Sequence, residues 1–125
     1  MMKVVSTLEA PQAIGPYSQA IALGGVLYTS GQIPLDKNGN FVEGDIKVQT
    51  TQVLENLKQV LQAGGSSLDR VVKTTVFLAN MDDFVAFNEV YAKFFGEHKP
   101  ARSTIAVKTL PKNALVEIEC VAKIG

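Results

Sequence analysis

Leu115-Val116-Glu117-Ile118-Glu119-Cys120-Val121-Ala122-Lys123-Ile124 is a run with one wholly apolar side. Read as a strand, it turns Val116, Ile118, Cys120, Ala122 and Ile124 one way and Leu115, Glu117, Glu119, Val121 and Lys123 the other. The first side suits packing under helices, and the second is half polar. The nearest upstream stretch, Pro100-Ala101-Arg102-Ser103-Thr104-Ile105, opens a second strand over 102–108, separated from the first by a turn at Pro111-Lys112-Asn113. Here Arg102 and Thr104 share one side, and Ile105 and Val107 the other. An arginine that stays charged and a carboxylate that can exchange protons are the parts of a small site for an anionic substrate.

Further outward, Val71 to Ala79 is a β-branched run and reads as a strand. Asn80 or Asp82 can cap a following helix, with Phe84, Phe87, Tyr91, Phe94 and Phe95 at near-helical spacing. Such an aromatic stripe reads as core. Gly96 ends the helix and Pro100 prevents its resumption. An earlier helix starts behind Asp45 and runs to about Ala63, with Val53, Leu54, Leu57, Val60 and Leu61 as its apolar stripe. Gln49, Gln52, Glu55, Lys58, Gln59 and Gln62 are expected largely on its wet side, and Gly64-Gly65 supplies a left-handed stop. Ser18 to Leu23 and Val26 to Ser30 flank Gly24-Gly25 as a hairpin. Residues 3–6 read as an edge strand. Pro11 and Gly15-Pro16 make 7–17 a loop.

The order is therefore β-β-β-α-β-α-β-β, an α+β domain with a mixed sheet. Two helices cover one face of a sheet this size. With the apolar sides turned to the helices, Arg102, Thr104 and Glu117 are expected together on the uncovered face, in a polar site that another subunit completes.

With 125 residues, 46% of them hydrophobic, one domain spanning 1–125 is expected. Twelve basic residues balance twelve acidic ones, so the overall charge gives no reason to expect nucleic acid or an anionic membrane as partner. No segment approaches the roughly 20 apolar residues of a membrane span. The single cysteine, Cys120, forms no intrachain disulfide and lies on the apolar side of its strand, a core position. His98 is the only histidine, a poor basis for a metal site. The glycine pairs are turn and cap, and no Walker or Rossmann pattern occurs. The start carries neither a signal-peptide core nor an Arg-rich transit pattern, so a cytoplasmic protein is expected, with a processed mitochondrial form left open.

Several stretches together carry a resemblance. They are Ala13-Ile14-Gly15-Pro16-Tyr17-Ser18-Gln19, Ser30-Gly31-Gln32-Ile33-Pro34, Val72-Lys73-Thr74-Thr75-Val76-Phe77-Leu78, Phe87-Asn88-Glu89-Val90-Tyr91, Pro100-Ala101-Arg102-Ser103 and Val116-Glu117-Ile118-Glu119. In order and spacing the chain resembles the Rid/YjgF family, best known for enamine/imine deaminases. The resemblance implies a chorismate-mutase-like fold and a homotrimer whose sheets surround a central barrel, with sites in the clefts between subunits. It implies hydrolysis of 2-aminoacrylate/2-iminopropanoate and 2-iminobutanoate to 2-keto acids and ammonia, without cofactor or metal. Carried over by position, Arg102 holds the substrate carboxylate and Glu117 positions and activates water. Tyr17 stabilises the charged intermediate, and Ser30, Gly31, Asn88 and Thr104 line the substrate. Thr104 stands where many deaminase members have cysteine. Residue type alone makes Arg102 a surface ion-pair residue and leaves Glu117 and Glu119 equivalent; the resemblance selects the site roles. Other family roles, as ligand-binding regulator, chaperone-like protein or translation-inhibiting ribonuclease, form the alternative.

Overall fold

The computed structural model describes residues 1–125. Its strands are β1 (Lys3–Val5), β2 (Ala20–Leu23), β3 (Val26–Thr29), β4 (Val71–Leu78), β5 (Ala101–Ala106) and β6 (Val116–Lys123); its helices are α1 (Ile46–Ala63) and α2 (Phe84–Phe95). The order along the chain is the expected one. Asp45 starts α1 by accepting the Val48 amide at 3.0 Å. The left-handed residue after α1 is Gly65, at φ 82°. Gly64 has an ordinary backbone (φ −88°) and is small for another reason. A Cβ there would stand 2.6 Å from the Leu27 side chain. Asn80 accepts the Asp82 amide at 2.9 Å and caps the short 3-10 turn that leads into α2.

The six strands form one sheet in the order β1-β2-β3-β6-β4-β5. All neighbours are antiparallel except β4 and β5, which are parallel through the α2 crossover. The alternating β6 lies inside the sheet, between β3 and β4. Its Val116, Ile118, Cys120 and Ala122 are buried with Leu27, Val76 and Leu78 in a cluster that α1 and α2 close from above. Each such Leu or Val, fully buried, contributes about 1.5–3 kcal/mol relative to exposure. The other sheet face bears no helix, and there Tyr28 and Ile105 remain 48% and 49% exposed.

Two expectations are corrected. Gln49 is not on the wet side of α1: it is buried, its Oε1 accepting the Leu115 amide at 2.8 Å and its Nε2 donating to the Val42 carbonyl at 3.3 Å. Loop backbone groups inside the fold need partners, and this carboxamide serves two of them. The second correction concerns β5. Arg102 is level with Thr74, and Thr104 with Val76, in the parallel ladder. Thr74 and Val76 are the buried, helix-side residues of β4. Arg102 and Thr104 therefore lie on the helix-bearing side, at the sheet edge beside α2. Glu117 is level with Phe77 and does lie on the uncovered face. The expected grouping of all three on one face fails because β5 turns its polar set, not Ile105, toward α2.

Candidate functional site: two half-sites on opposite faces

The first half-site is built by β6, the end of β3 and the loop before β2. Tyr17, Ser30, Gly31 and Glu117 line one cleft of about 660 Å³, with Glu119 and Lys112 among its other walls. Ser30 is fixed by its Oγ–H, which donates to the Ser18 carbonyl at 2.5 Å. Gln32 and Ile118 exchange backbone hydrogen bonds at 2.9 and 3.2 Å, which draws the Ser30–Gln32 chain against β6. Asn56 of α1 holds the floor, donating to the Leu35 carbonyl at 2.8 Å. The close approach explains Gly31. A Cβ there would lie 2.9 Å from Cδ of Glu117 and nearer still to its Oε2. The glycine lets bare backbone face the carboxylate. Burial pushes the Glu117 carboxyl above its ordinary range, and the neighbouring Glu119 adds to the shift. A carboxylate so perturbed in a cleft is suited to exchange protons.

The second half-site is Arg102 on its aromatic bed. Its Nη1–H donates to Oδ1 of Asn88 at 2.8 Å. Its guanidinium carbon stands 4.8 Å from the ring centre of Tyr91, 5.5 Å from Phe84 and 5.9 Å from Phe87. The aromatic stripe is thus core, as expected, and also a platform that the spacing alone did not announce. The ion pairs of the chain are Lys37–Glu9 and Lys47–Glu89, so Arg102 has no carboxylate partner. A part-buried guanidinium with one amide acceptor keeps donors for an external anion. This cleft, about 480 Å³, is lined by Asn88, Tyr91, Lys99 and Arg102 among others. The surface ion-pair reading of Arg102 is excluded within the chain.

The expected residues thus separate into two groups. Tyr17, Ser30, Gly31 and Glu117 share one cleft; Asn88 and Arg102 share the other. Thr104 lines neither, and its buried Oγ1 has no hydrogen-bond partner. Cys120 is core: burial pushes its thiol up to about 11, and its amide donates to Thr29 Oγ1 at 3.0 Å. His98 donates from Nε2 to the Val71 carbonyl at 2.6 Å. Two contributors were missed in the sequence: Asn56 and Gln19, buried amides whose polar type points to the surface. Only their backbone partners, distant in sequence, reveal them. No helix is long and apolar enough to cross a membrane.

The fold and its clefts define a small α+β protein with an arginine free of any carboxylate partner at one sheet face and a part-buried glutamate in a cleft on the other. The family model described as Endoribonuclease L-PSP matches residues 7–124. A RutC family protein of Pyrococcus horikoshii is 56% identical over 123 residues, 98% of each chain. The chloroplastic Reactive Intermediate Deaminase A of Arabidopsis thaliana is 49% identical over 96% of this chain and 65% of its own length. A crystal structure of a Rid protein family member from Yersinia pestis superposes with a TM-score of 0.97 at 49% identity, covering 99% of this chain and 100% of the other. The chain belongs to the Rid/YjgF family.

Proposed function

We propose that the protein hydrolyses 2-imino acids, 2-iminopropanoate and 2-iminobutanoate, to 2-keto acids and ammonia, as a homotrimer with a cytoplasmic site of action. The observation that carries the reading is Arg102: a part-buried guanidinium, oriented by Asn88 and Tyr91, with no carboxylate of its own chain. Its planar fork suits the carboxylate of a small acid. The raised Glu117 suits the other end of the same substrate. One chain cannot offer both to one molecule, so the uncovered sheet face packs on neighbouring copies, and the Arg102 half of one chain meets the Glu117 half of the next. A deaminase name on a 49% identical relative supports the reaction class.

In this mechanism Arg102 and Asn88 hold the carboxylate end. Glu117 accepts a proton from a water as its oxygen bonds to C2 of the protonated imine. The nitrogen of the resulting carbinolamine takes that proton from Glu117, the C–N bond breaks, and ammonia leaves as the carbonyl forms, the hydroxyl proton passing back to the ionised Glu117. Tyr17 and Ser30 line the cleft around that centre, and the buried Thr104 hydroxyl lies one alternate position beyond Arg102. Positioning supplies much of the rate, because a protonated imine is already electrophilic.

The test couples a threonine or serine dehydratase, which releases the imine, to keto-acid formation in competition with semicarbazide. Wild type accelerates keto-acid release and Arg102→Ala does not. Equal acceleration by both removes Arg102 from the site; no acceleration by wild type removes the activity and leaves ligand binding as the reading to pursue.

A further inference from the structure

Gln19 is 3% exposed, and every part of its carboxamide is engaged. Its Oε1 accepts the Thr7 amide at 2.7 Å. Its Nε2 donates to the Pro11 carbonyl at 2.7 Å and to the Thr7 carbonyl at 3.2 Å. The side chain therefore pairs with both backbone groups of Thr7, as a strand neighbour does, and ties the two ends of the 11–19 loop. Its own main-chain carbonyl accepts the Ser30 amide at 2.9 Å. One residue thus links the loop that carries Tyr17 to the strand end that carries Ser30 and Gly31.

We propose that Gln19 is a positioning residue: its carboxamide clasps the Pro11–Gln19 loop closed and so sets where Tyr17 stands over the Glu117 cleft. The inference rests on the deaminase reading for its catalytic consequence, though the clasp itself does not. Both amide hydrogens go to loop carbonyls, so Gln19 has no donor left for a ligand. The loop between the clasped ends has no regular structure, and Tyr17 makes only the short turn bond from its amide to the Gly15 carbonyl at 2.9 Å. Tyr17 is 53% exposed in the single chain, so packing within its own chain does little to fix it. Without the clasp, the loop regains conformations in which Tyr17 is displaced, and a displacement of about 1 Å is enough to cost on the order of a hundredfold in rate.

The experiment compares wild type, Gln19→Ala, Gln19→Glu, Tyr17→Phe and the double variant Gln19→Ala/Tyr17→Phe in the dehydratase-coupled assay, with hydrogen exchange on wild type and Gln19→Ala. Gln19→Glu keeps the size but turns a carboxylate toward two carbonyls. Gln19→Ala and Gln19→Glu lower kcat by about tenfold or more with KM changed less. In the Tyr17→Phe background, Gln19→Ala adds little, because the group it positions is already gone. The Thr7 amide loses protection in Gln19→Ala, while amides of β4 and β6 keep theirs. An equal loss of kcat in both backgrounds makes Gln19 merely structural and overturns the proposal, as does undiminished Thr7 protection. A wild type without imine hydrolysis sinks the deaminase reading and with it the catalytic half of the proposal. The exchange result still decides the clasp.

Discussion

Arg102 and Glu117 stand on opposite faces of one sheet, with β4 between their strands. Each is well placed in its own cleft, and neither cleft contains the other residue. A site that uses both must draw them from two chains. Arg102→Ala and Glu117→Ala are therefore each expected to be inactive alone but active when unfolded together and refolded. Random assembly of equal amounts into closed rings gives about a quarter of the interfaces both intact halves, and so about a quarter of wild-type activity. No recovery after verified mixing would place the whole site in one chain.

Gly31 and Glu117 are in contact without room for a Cβ. Gly31→Ala is expected to destabilise the fold by about 1–3 kcal/mol, the usual cost of overpacking, and to displace the carboxylate. Truncating the obstruction as well, in Gly31→Ala/Glu117→Ala, should recover part of that loss. Urea unfolding of the four proteins in this cycle measures the coupling. Additive costs would mean that the two residues do not press on each other.

The raised folded pKa of Glu117 has a fixed sign in stability. The folded state prefers the protonated carboxyl, so Glu117 is least costly below the ordinary glutamate value. The chain loses stability as pH rises through the raised folded value. Glu117→Gln stays neutral and escapes that loss. Its stability relative to wild type should rise with pH from about 4, near the ordinary value for glutamate, to neutrality. Thermal unfolding across that range checks it; a difference that stays flat or falls contradicts the shift. The proposed hydrolysis has the opposite need, since it uses Glu117 as a general base, and a general base works ionised. The acid limb of wild-type kcat/KM should therefore lie above the ordinary glutamate range, and Glu117→Gln should lose turnover.

Thr104 carries a buried hydroxyl without a partner. Thr104→Val removes the unsatisfied group at nearly constant volume. It is expected to leave the chain as stable or to stabilise it by up to about 1–3 kcal/mol, the range assigned to such a group. If the hydroxyl serves substrate, KM rises in the same variant. A large loss of stability would reveal a partner for the hydroxyl across a subunit contact.

Much of this was legible in the residues. Asp45, Asn80, Gly65 and the glycine pair at 24–25 act through bonds and dihedrals within a few positions of themselves, so sequence fixes the element ends. The alternation of β6 predicted its buried side correctly, because four apolar side chains in a row of alternate positions have one stable orientation under two helices. The motifs around Tyr17, Ser30, Arg102 and Glu117 selected the residues that line the two clefts.

What the chain alone did not decide was which way β5 faces. Its pattern states that Arg102 and Thr104 oppose Ile105, but period two is silent on which set meets the helices. That choice was made by the parallel register with β4 and by the rings of Phe84, Phe87 and Tyr91, which receive a guanidinium on a face expected to be apolar. Gln19, Gln49 and Asn56 tell the same story. Their polarity is local and points outward, whereas their burial depends on carbonyls and amides that only the folded chain brings within reach. Sequence determined the elements and their local stops; tertiary pairing determined the faces, and with them the separation of the two half-sites.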